Sequence, residues 1–454
     1  MSVSDTIVAL STPPGRSGIG VIRLSGPDAL ELVRKLTRKD QFAPEANRVT
    51  LQTISDPTSG EALDRALITY FRAPHSFTGE DVLELSCHGS PVLLLHIIDA
   101  LLQLGARAAT PGEFTMRALA NGQLNLSQAE AIRDLIGAQT HTAVRQAARQ
   151  LSGELSARLQ PLKDALLDVI VPLESALEFV EDDLPEIEVE RIGGQLSQLI
   201  QTLEELAATF RSGRLLKEGL RVTLIGRPNV GKSSVFNSLL SSDRAIVTDV
   251  PGTTRDSLSE LINIQGVPVL LTDTAGVRSS SDLIESIGIA RTRRAMADAD
   301  LLIVVLDGTQ PLTDEDFAIL AEARENKYLI ALNKNDLPDF APENFTTLSS
   351  GKLIPLSAKT GAGLDLFRTA LLEPFIGNSG HDACFLVTNA RHYDLLRRTI
   401  GAIRNSKELL EVKTSEDLVL AGLYDSLRFL GEITGETTPD DVLAQIFATF
   451  CIGK

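Results

Sequence analysis

The segment Gly226-Arg-Pro-Asn-Val-Gly-Lys-Ser233 has the spacing G-x-x-x-x-G-K-[ST] of a phosphate-binding loop. Its glycines permit backbone shapes that a Cβ forbids. The loop N–H groups and the N-terminus of a following helix can then cradle phosphate oxygens. Lys232 can reach the β- and γ-phosphates, and the Ser233 hydroxyl can hold Mg²⁺. Arg221–Ile225 predicts a buried strand leading in, and Ser234–Leu240 predicts the first turns of a helix leading out. That strand–loop–helix context is what the motif requires.

Further elements follow in order. Asp273-Thr-Ala-Gly276 closes the apolar strand Val267–Leu271. An acid there can reach Mg²⁺, and the Gly276 N–H can meet the γ-phosphate. Asn333-Lys-Asn-Asp336 closes the strand Tyr328–Leu332. Asp336 can accept hydrogen bonds from guanine N1–H and the 2-amino group; adenine would leave it unpaired, so the site selects GTP. Ser357-Ala-Lys359 closes the next strand and is expected around the guanine carbonyl. Gly252-Thr-Thr-Arg-Asp256 lies where a switch loop with a Mg²⁺-binding threonine belongs. Together these predict a GTP hydrolase. Val277 occupies the position directly after DxxG where Ras-like enzymes place a water-orienting Gln. Hydrolysis must use another group, and the candidates are Glu285 and a cation near Asn229 that would neutralise developing charge.

These residues need a scaffold. A chain of 454 residues predicts about three domains, and 43% hydrophobic residues suffice for packed cores. Cys87, Cys384 and Cys451 are too few and too scattered for a disulfide framework or a zinc site, which predicts a reducing, cytoplasmic setting. The N-terminus lacks the pattern of a signal peptide, and no apolar run approaches a membrane span. A net charge of −17 repels nucleic acid on average, so any RNA contact needs a local basic patch or a partner.

Residues 1–120 predict an α+β domain, with strands at Thr6–Leu10, Gly18–Leu24, Ala66–Phe71 and Asp81–Cys87 and helices at Asp28–Leu36 and Val92–Leu104. Gly15-Arg-Ser-Gly-Ile-Gly20 precedes a strand, so it reads as a turn and not as a dinucleotide fingerprint. Residues 121–217 predict helices, with a capping-box start at Ser127-Gln-Ala-Glu130 and breaks at Pro161 and Pro172. Glu181-Asp-Asp183 reads as a solvated loop. Residues 218–376 alternate strand and helix as a doubly wound parallel sheet does. Residues 377–384 read as a linker, and 385–454 are helical again. Thr438-Pro-Asp-Asp441 supplies a helix start, and Leu443, Ile446, Phe447 and Phe450 share a face. Helical segments on both sides of an α/β domain predict that the nucleotide domain is inserted into one helical domain built from 121–217 and 377–454.

The chain resembles the tRNA-modifying GTPase family known as MnmE or TrmE. The resemblance rests on G-R-P-N-V-G-K-S, G-T-T-R-D, D-T-A-G, N-K-N-D and the terminal C-I-G-K. P-G-E-F-T-M-R-A, T-G-E-D-V-L-E-L and L-S-Q-A-E-A-I also match. It implies an α+β N-terminal folate-binding domain that dimerises, an all-α central domain, and an inserted α/β Ras-like P-loop GTPase domain. It implies a homodimer acting with a flavin-containing (FAD) partner subunit in a heterotetramer. The product would be an aminomethyl or carboxymethylaminomethyl group on C5 of the wobble uridine of certain tRNAs. The one-carbon unit would come from a tetrahydrofolate, in its 5,10-methylene or 5-formyl form.

The resemblance also implies ligand sets. K⁺ would be held by Asn229, Thr248, Val250 and Thr253, and Mg²⁺ by Ser233 and Thr254. Val230, Gly231, Lys232, Ser234, Asp249, Pro251, Gly252, Asp273, Thr274, Ala275, Gly276, Asn333, Lys334, Asp336, Ser357, Ala358 and Lys359 would complete the GTP site. Glu285 would position the attacking water, with Lys232, Arg255 and Cys451 as further catalytic candidates. Folate would meet Arg23, Glu80, Gln123 and Lys454. Gln123 departs from the Lys that many relatives carry, which removes a charge there. A ribosome-assembly or translation GTPase, and a folate-sensing regulatory GTPase, are the competing readings; the first of these should carry a basic RNA-binding domain, and none is evident.

Overall fold

The computed structural model describes residues 5–178, 186–243, 258–273, 294–346, 348, 351–375, 385–412, 416–436, 443 and 446–453. The predicted loop at Glu181-Asp-Asp183, the linker 377–384 and the helix start at Thr438 lie outside them. The chain forms two compact units, one of residues 1–133, 150–163 and 427–454, the other of 134–149 and 164–426.

In the first unit, β1 (Ile7–Leu10), β2 (Ile19–Ser25), β3 (Val49–Ser55), β4 (Ala62–Phe71), β5 (Val82–His88) and β6 (Arg107–Ala108) form one sheet in the order β3-β4-β5-β2-β1-β6. Its pairs are antiparallel except β1 with β6. Helices α1 (Ala29–Thr37) and α2 (Pro91–Gln103) share a core with one face, where Ile22, Leu24, Val33, Ile68, Leu85 and Ile97 are buried. Two strands escape sequence reading. In β3 the alternate apolar residues Val49 and Leu51 are 60% and 51% exposed, so the period-2 signal points away from the core. β6 is two residues long, and only its pairing with β1 defines it.

Helices α3 (Glu113–Ala120) and α4 (Leu126–Gly137) follow. The capping box of α4 lies two residues upstream of the predicted one. The Asn125 carboxamide oxygen accepts from Gln128 N at 3.0 Å, and the Gln128 side chain accepts from Asn125 N at 3.0 Å. Ser127 donates to that same Asn125 oxygen. Leu443, Ile446, Phe447 and Phe450 pack together with Met116, Leu119 and Leu124, as their shared face predicts. After α5 (His141–Leu151), α6 runs unbroken from Glu154 to Glu178 and overrides the breaks expected at Pro161 and Pro172. The carbonyls that each proline leaves without an N–H belong to Ala157 and Asp168, both exposed and so open to water. The buried stripe of Leu159, Leu162, Leu166, Val169 and Leu173 keeps the helix continuous through them.

In the second unit, α7 (Glu186–Ala208) and α8 (Phe210–Glu218) precede a six-stranded sheet. It contains β7 (Leu220–Ile225), β8 (Leu258–Ile264), β9 (Val267–Asp273), β10 (Leu301–Asp307), β11 (Tyr328–Asn333) and β12 (Lys352–Pro355), in the order β12-β11-β10-β7-β9-β8. Five strands are parallel, but β8 returns antiparallel to β9, so the sheet is not wholly parallel as predicted. The two-residue link Gln265-Gly266, with φ of 50° and 89°, permits only a hairpin there. All seven residues of β10 are buried because helices cover both faces. One core includes Val235 and Phe236 of α9 (Lys232–Asp243) and Phe367, on the helix Leu364–Leu372; the other includes Leu320 of α10 (Asp314–Ala323). The helix Leu364–Leu372 is α11, and α12 (Ala390–Glu411) and α13 (Glu416–Thr434) follow. Phe210 stacks on Tyr393, ring centroids 4.4 Å apart. Among the described residues no helix is long and apolar enough to cross a membrane.

Strand order reverses between β7 and β10, which places a crevice at their carboxyl ends. The phosphate-loop segment leaves β7 at that point.

Candidate functional site

Gly226 and Gly231 take φ of 149° and 97°, and each is forced. A Cβ at Gly226 would lie 2.5 Å from the Val305 carbonyl, and one at Gly231 would lie 2.2 Å from Asn333 Nδ2. Asn229 adopts φ of 66° between them, so a non-glycine residue carries the left-handed turn. The loop closes around Lys232, 7% exposed, whose ammonium donates to the carbonyls of Gly226 and Arg227, each at 2.8 Å. Arg227 in turn reaches Gln310 at 2.9 Å and the buried Asp316 at 3.3 Å.

The predicted elements converge on this loop. Ser233 Oγ donates to Asp273 Oδ2 at 2.8 Å. Asn333 bridges two of them: its Nδ2 donates to the Val230 carbonyl at 3.0 Å, and its Oδ1 accepts from Ala358 N at 3.1 Å. Ser357 donates to Asp336 Oδ1 at 2.7 Å and accepts from the N–H groups of Lys359 and Thr360. Lys334 reaches the Asn229 carbonyl at 3.4 Å. Asn229, Val230, Gly231, Lys232, Ser233, Ser234, Asp273, Asn333, Lys334, Asp336, Ser357, Ala358 and Lys359 therefore come from one end of the sheet. Thr248, Asp249, Val250, Pro251, Gly252, Thr253, Thr254, Arg255, Thr274, Ala275, Gly276, Val277 and Glu285 lie outside the described residues.

Ser233 and Asp273 present converging oxygen donors, which suits an ion that takes one or two protein ligands and completes its shell with phosphate and water, as Mg²⁺ does. Among the described residues no group of three or more His, Cys, Asp and Glu could enclose a metal by itself. Sequence reading missed Asp307, whose carboxylate pairs with Lys334 at 2.6 Å. Burial pushes that carboxyl pKa up, but the Lys334 ammonium and the hydroxyl and N–H of Thr309 outweigh it and hold it below the usual range. Its signal was legible: a lone charge closing six buried apolar residues.

A second polar cluster lies in the first unit. Arg23, on β2, makes hydrogen bonds of 2.9 and 2.7 Å with Glu84 on β5. It lies 5.6 and 5.7 Å from the ring centres of Phe77 and Phe114. Its Nη1 also approaches the Gly453 carbonyl at 3.4 Å, which brings the C-terminal tail to β2. Gly453 needs its φ of 93°, and a Cβ there would lie 2.3 Å from the Leu10 carbonyl. Cys451 is exposed, and its carbonyl accepts from Gly112 N. Lys454 lies outside the described residues. Gln123 packs where a Cβ on Gly79, next to Glu80, would touch its Nε2 at 3.0 Å.

Glu80 bonds Ser25 Oγ at 2.6 Å and Arg117, 3% exposed, at 3.2 Å. Arg117 also meets Asp5 and Glu113, and Glu113 meets Arg107. Burial raises the Glu113 pKa, but Arg107, Thr110 N and Arg117 bring it down to about 2. Arg23 and Glu80 were expected from the sequence; Glu84, Arg117, Glu113 and Asp5 were not. The i,i+4 pair Glu113 and Arg117 on α3 was the available signal.

The first unit's N-terminal part matches the family model described as GTP-binding protein TrmE N-terminus over residues 6–123. The model described as MnmE helical domain matches residues 126–451. The tRNA modification GTPase MnmE of Koribacter versatilis is 45% identical over 462 residues, covering 100% of each chain. The protein of that name from Aquifex aeolicus is 40% identical over 452 residues, covering 99% of this chain and 100% of its own. Among solved structures, the G domain of the T. maritima FeoB iron transporter is 27% identical, covers 34% of this chain and 97% of that one, and has a TM-score of 0.27.

Proposed function

This chain belongs to the MnmE family of tRNA modification GTPases, and on that premise we propose that it hydrolyses GTP in the cytoplasm to serve a C5 modification of the tRNA wobble uridine. The reading includes a homodimer, a flavin-containing partner subunit with FAD, and a tetrahydrofolate as one-carbon donor. It divides the chain into a folate-binding domain at 1–120, a helical domain at 121–217 and 377–454, and a GTPase domain at 218–376. One observation carries the GTPase half: phosphate loop, Asp273, Asn333–Asp336 and Ser357–Lys359 form one hydrogen-bonded set at a topological switch point.

The chain's own residues have distinct tasks. Lys232 donates into the loop and can turn those hydrogens to the β- and γ-phosphates. Ser233, with Asp273 in reach, would hold Mg²⁺, which when bound neutralises charge on the transferring phosphoryl group. Asp336, oriented by Ser357, accepts from the guanine edge. With valine at 277, Glu285 would position the attacking water, Arg255 and a K⁺ held by Asn229, Thr248, Val250 and Thr253 would offset developing charge, and Thr254 would join Ser233 as an Mg²⁺ ligand. Arg23, Glu80, Gln123 and Lys454 bind folate, and Cys451 is the candidate thiol beside it.

Two measurements test this reading. GTP turnover should be at least tenfold faster in K⁺ than in Na⁺ at equal ionic strength, and equal rates would reject the cation assignment. Mass analysis of wobble uridines in cells lacking the protein should show the C5 group gone, and unchanged uridines would reject the tRNA assignment.

A further inference from the structure

The role of Arg117 is set by what surrounds it. Its side chain is 4% exposed and faces three carboxylates: Asp5, Glu80 and Glu113. Arg107 is the other cation of the cluster, bonded to Asp5 and Glu113. Glu113 has Arg107, Thr110 N and the Thr110 hydroxyl as well as Arg117, so it does not depend on Arg117 for its neutralisation. Glu80 does. Among the described residues its carboxylate meets a single cation, Arg117, whose Nη1 is 3.2 Å from each oxygen. The same nitrogen donates to the Asp5 carbonyl at 2.8 Å, and Nη2 donates to Asp5 Oδ1 at 2.7 Å and Glu113 Oε1 at 3.0 Å. The guanidinium is therefore fixed from three directions before it touches Glu80.

A carboxylate offers about four acceptor positions. Arg117 fills one on each oxygen of Glu80, and Ser25 Oγ fills a second on Oε2 at 2.6 Å. Among the described residues one position remains, on Oε1, with the carboxylate plane fixed by three bonds. Ser25 is itself fully buried and held by Thr78 Oγ1 at 2.7 Å.

We propose that Arg117 is a positioning residue that keeps Glu80 turned so that its Oε1 accepts from the 2-amino-4-oxo edge of a reduced pterin. The proposal rests on the folate reading of Glu80. It assigns Arg117 no contact with the ligand: Arg117 acts through Glu80, and Ser25 completes the orientation. A lysine at 117 keeps the charge but, as a point donor, cannot fork across Asp5, Glu113 and Glu80 together.

The test is calorimetric titration of the full-length protein with 5-formyltetrahydrofolate and with its 2-desamino analogue. The proteins compared are the unaltered chain, Glu80→Gln, Arg117→Lys and Ser25→Ala, with thermal melting as the folding control. The unaltered chain should prefer the amino-bearing pterin at least about tenfold, the size expected for a hydrogen bond to a charged acceptor. Glu80→Gln and Arg117→Lys should both bring that preference close to one, and Ser25→Ala should bring it part of the way. Should Arg117→Lys fail to fold, Ser25→Ala carries the comparison alone. Loss of preference in Glu80→Gln with full preference in Arg117→Lys and Ser25→Ala overturns the positioning role and leaves the folate reading standing. Equal weakening of both pterins by Arg117→Lys overturns it too, because a purely structural role predicts that pattern. No folate binding by the unaltered chain, or an unchanged preference in Glu80→Gln, overturns the folate reading and the proposal with it.

Discussion

The phosphate loop and the Arg117 cluster both concentrate polar groups, but they satisfy them in different ways. Around the loop, each group that would meet a nucleotide bonds a partner it can exchange: Lys232 donates to carbonyls of its own loop, and Ser233 donates to Asp273. Those bonds lie where phosphate and Mg²⁺ would sit, and either can replace them. Around Arg117 the charges neutralise one another inside the protein, and strands and helix depend on the pairing. Removing Arg117 there leaves the largely buried Glu80 without its cation. The first arrangement suits exchange of a ligand on every turnover; the second suits holding one acceptor still.

Lys232→Ala should break the exchangeable site most severely. GTP turnover should fall by about a thousandfold or more, while melting changes little, because the substitution deletes phosphate contacts and removes bonds to carbonyls of its own loop. A large loss of melting temperature would erase the contrast between the two regions. Arg117→Met should show the opposite signature. It leaves Glu80 without its cation, while Asp5 and Glu113 keep Arg107, and should cost about 3–5 kcal/mol in chemical denaturation. If the variant unfolds as the unaltered chain does, the cluster is not a structural necessity.

Asp336→Asn sharpens the comparison at the base. Guanine affinity should drop by about a hundredfold and preference should move toward xanthine nucleotides, whose C2 carbonyl suits an amide donor. Competition between GTP and XTP reads this directly, and unaltered selectivity would contradict the assignment. The smallest effect concerns pH. The Glu113 pKa, held at about 2 against an ordinary 4.5, means its ionised form is favoured by folding. Its contribution is complete above about pH 4.5 and is lost as pH falls toward 2. Glu113→Gln should flatten that part of the stability profile, and an identical acid limb in both proteins would remove Glu113 as its cause.

Legibility in the sequence followed the range of the forces involved. The strand, loop and helix around Lys232 were readable because the residue types and spacing that mark the loop fall within eight consecutive residues. β3 was not, because its alternation points to the exposed side, and the breaks at Pro161 and Pro172 were overruled by packing along α6. Asn125 displaced Ser127 as the helix cap for a reason that only hydrogen-bond geometry displays.

The amino-acid order alone determined the nucleotide chemistry: glycine freedom, a lysine, a hydroxyl and acids at strand ends act through local backbone shape. Folding in three dimensions decided who pairs with whom. Arg117 bonds residues 112 and 37 positions away along the chain, and Arg23 reaches Glu84 across a strand pair. Neither pairing leaves a periodic trace in the sequence. Long-range neutralisation of buried charge depends on which surfaces the core brings together, and that is settled only when sheet and helices pack.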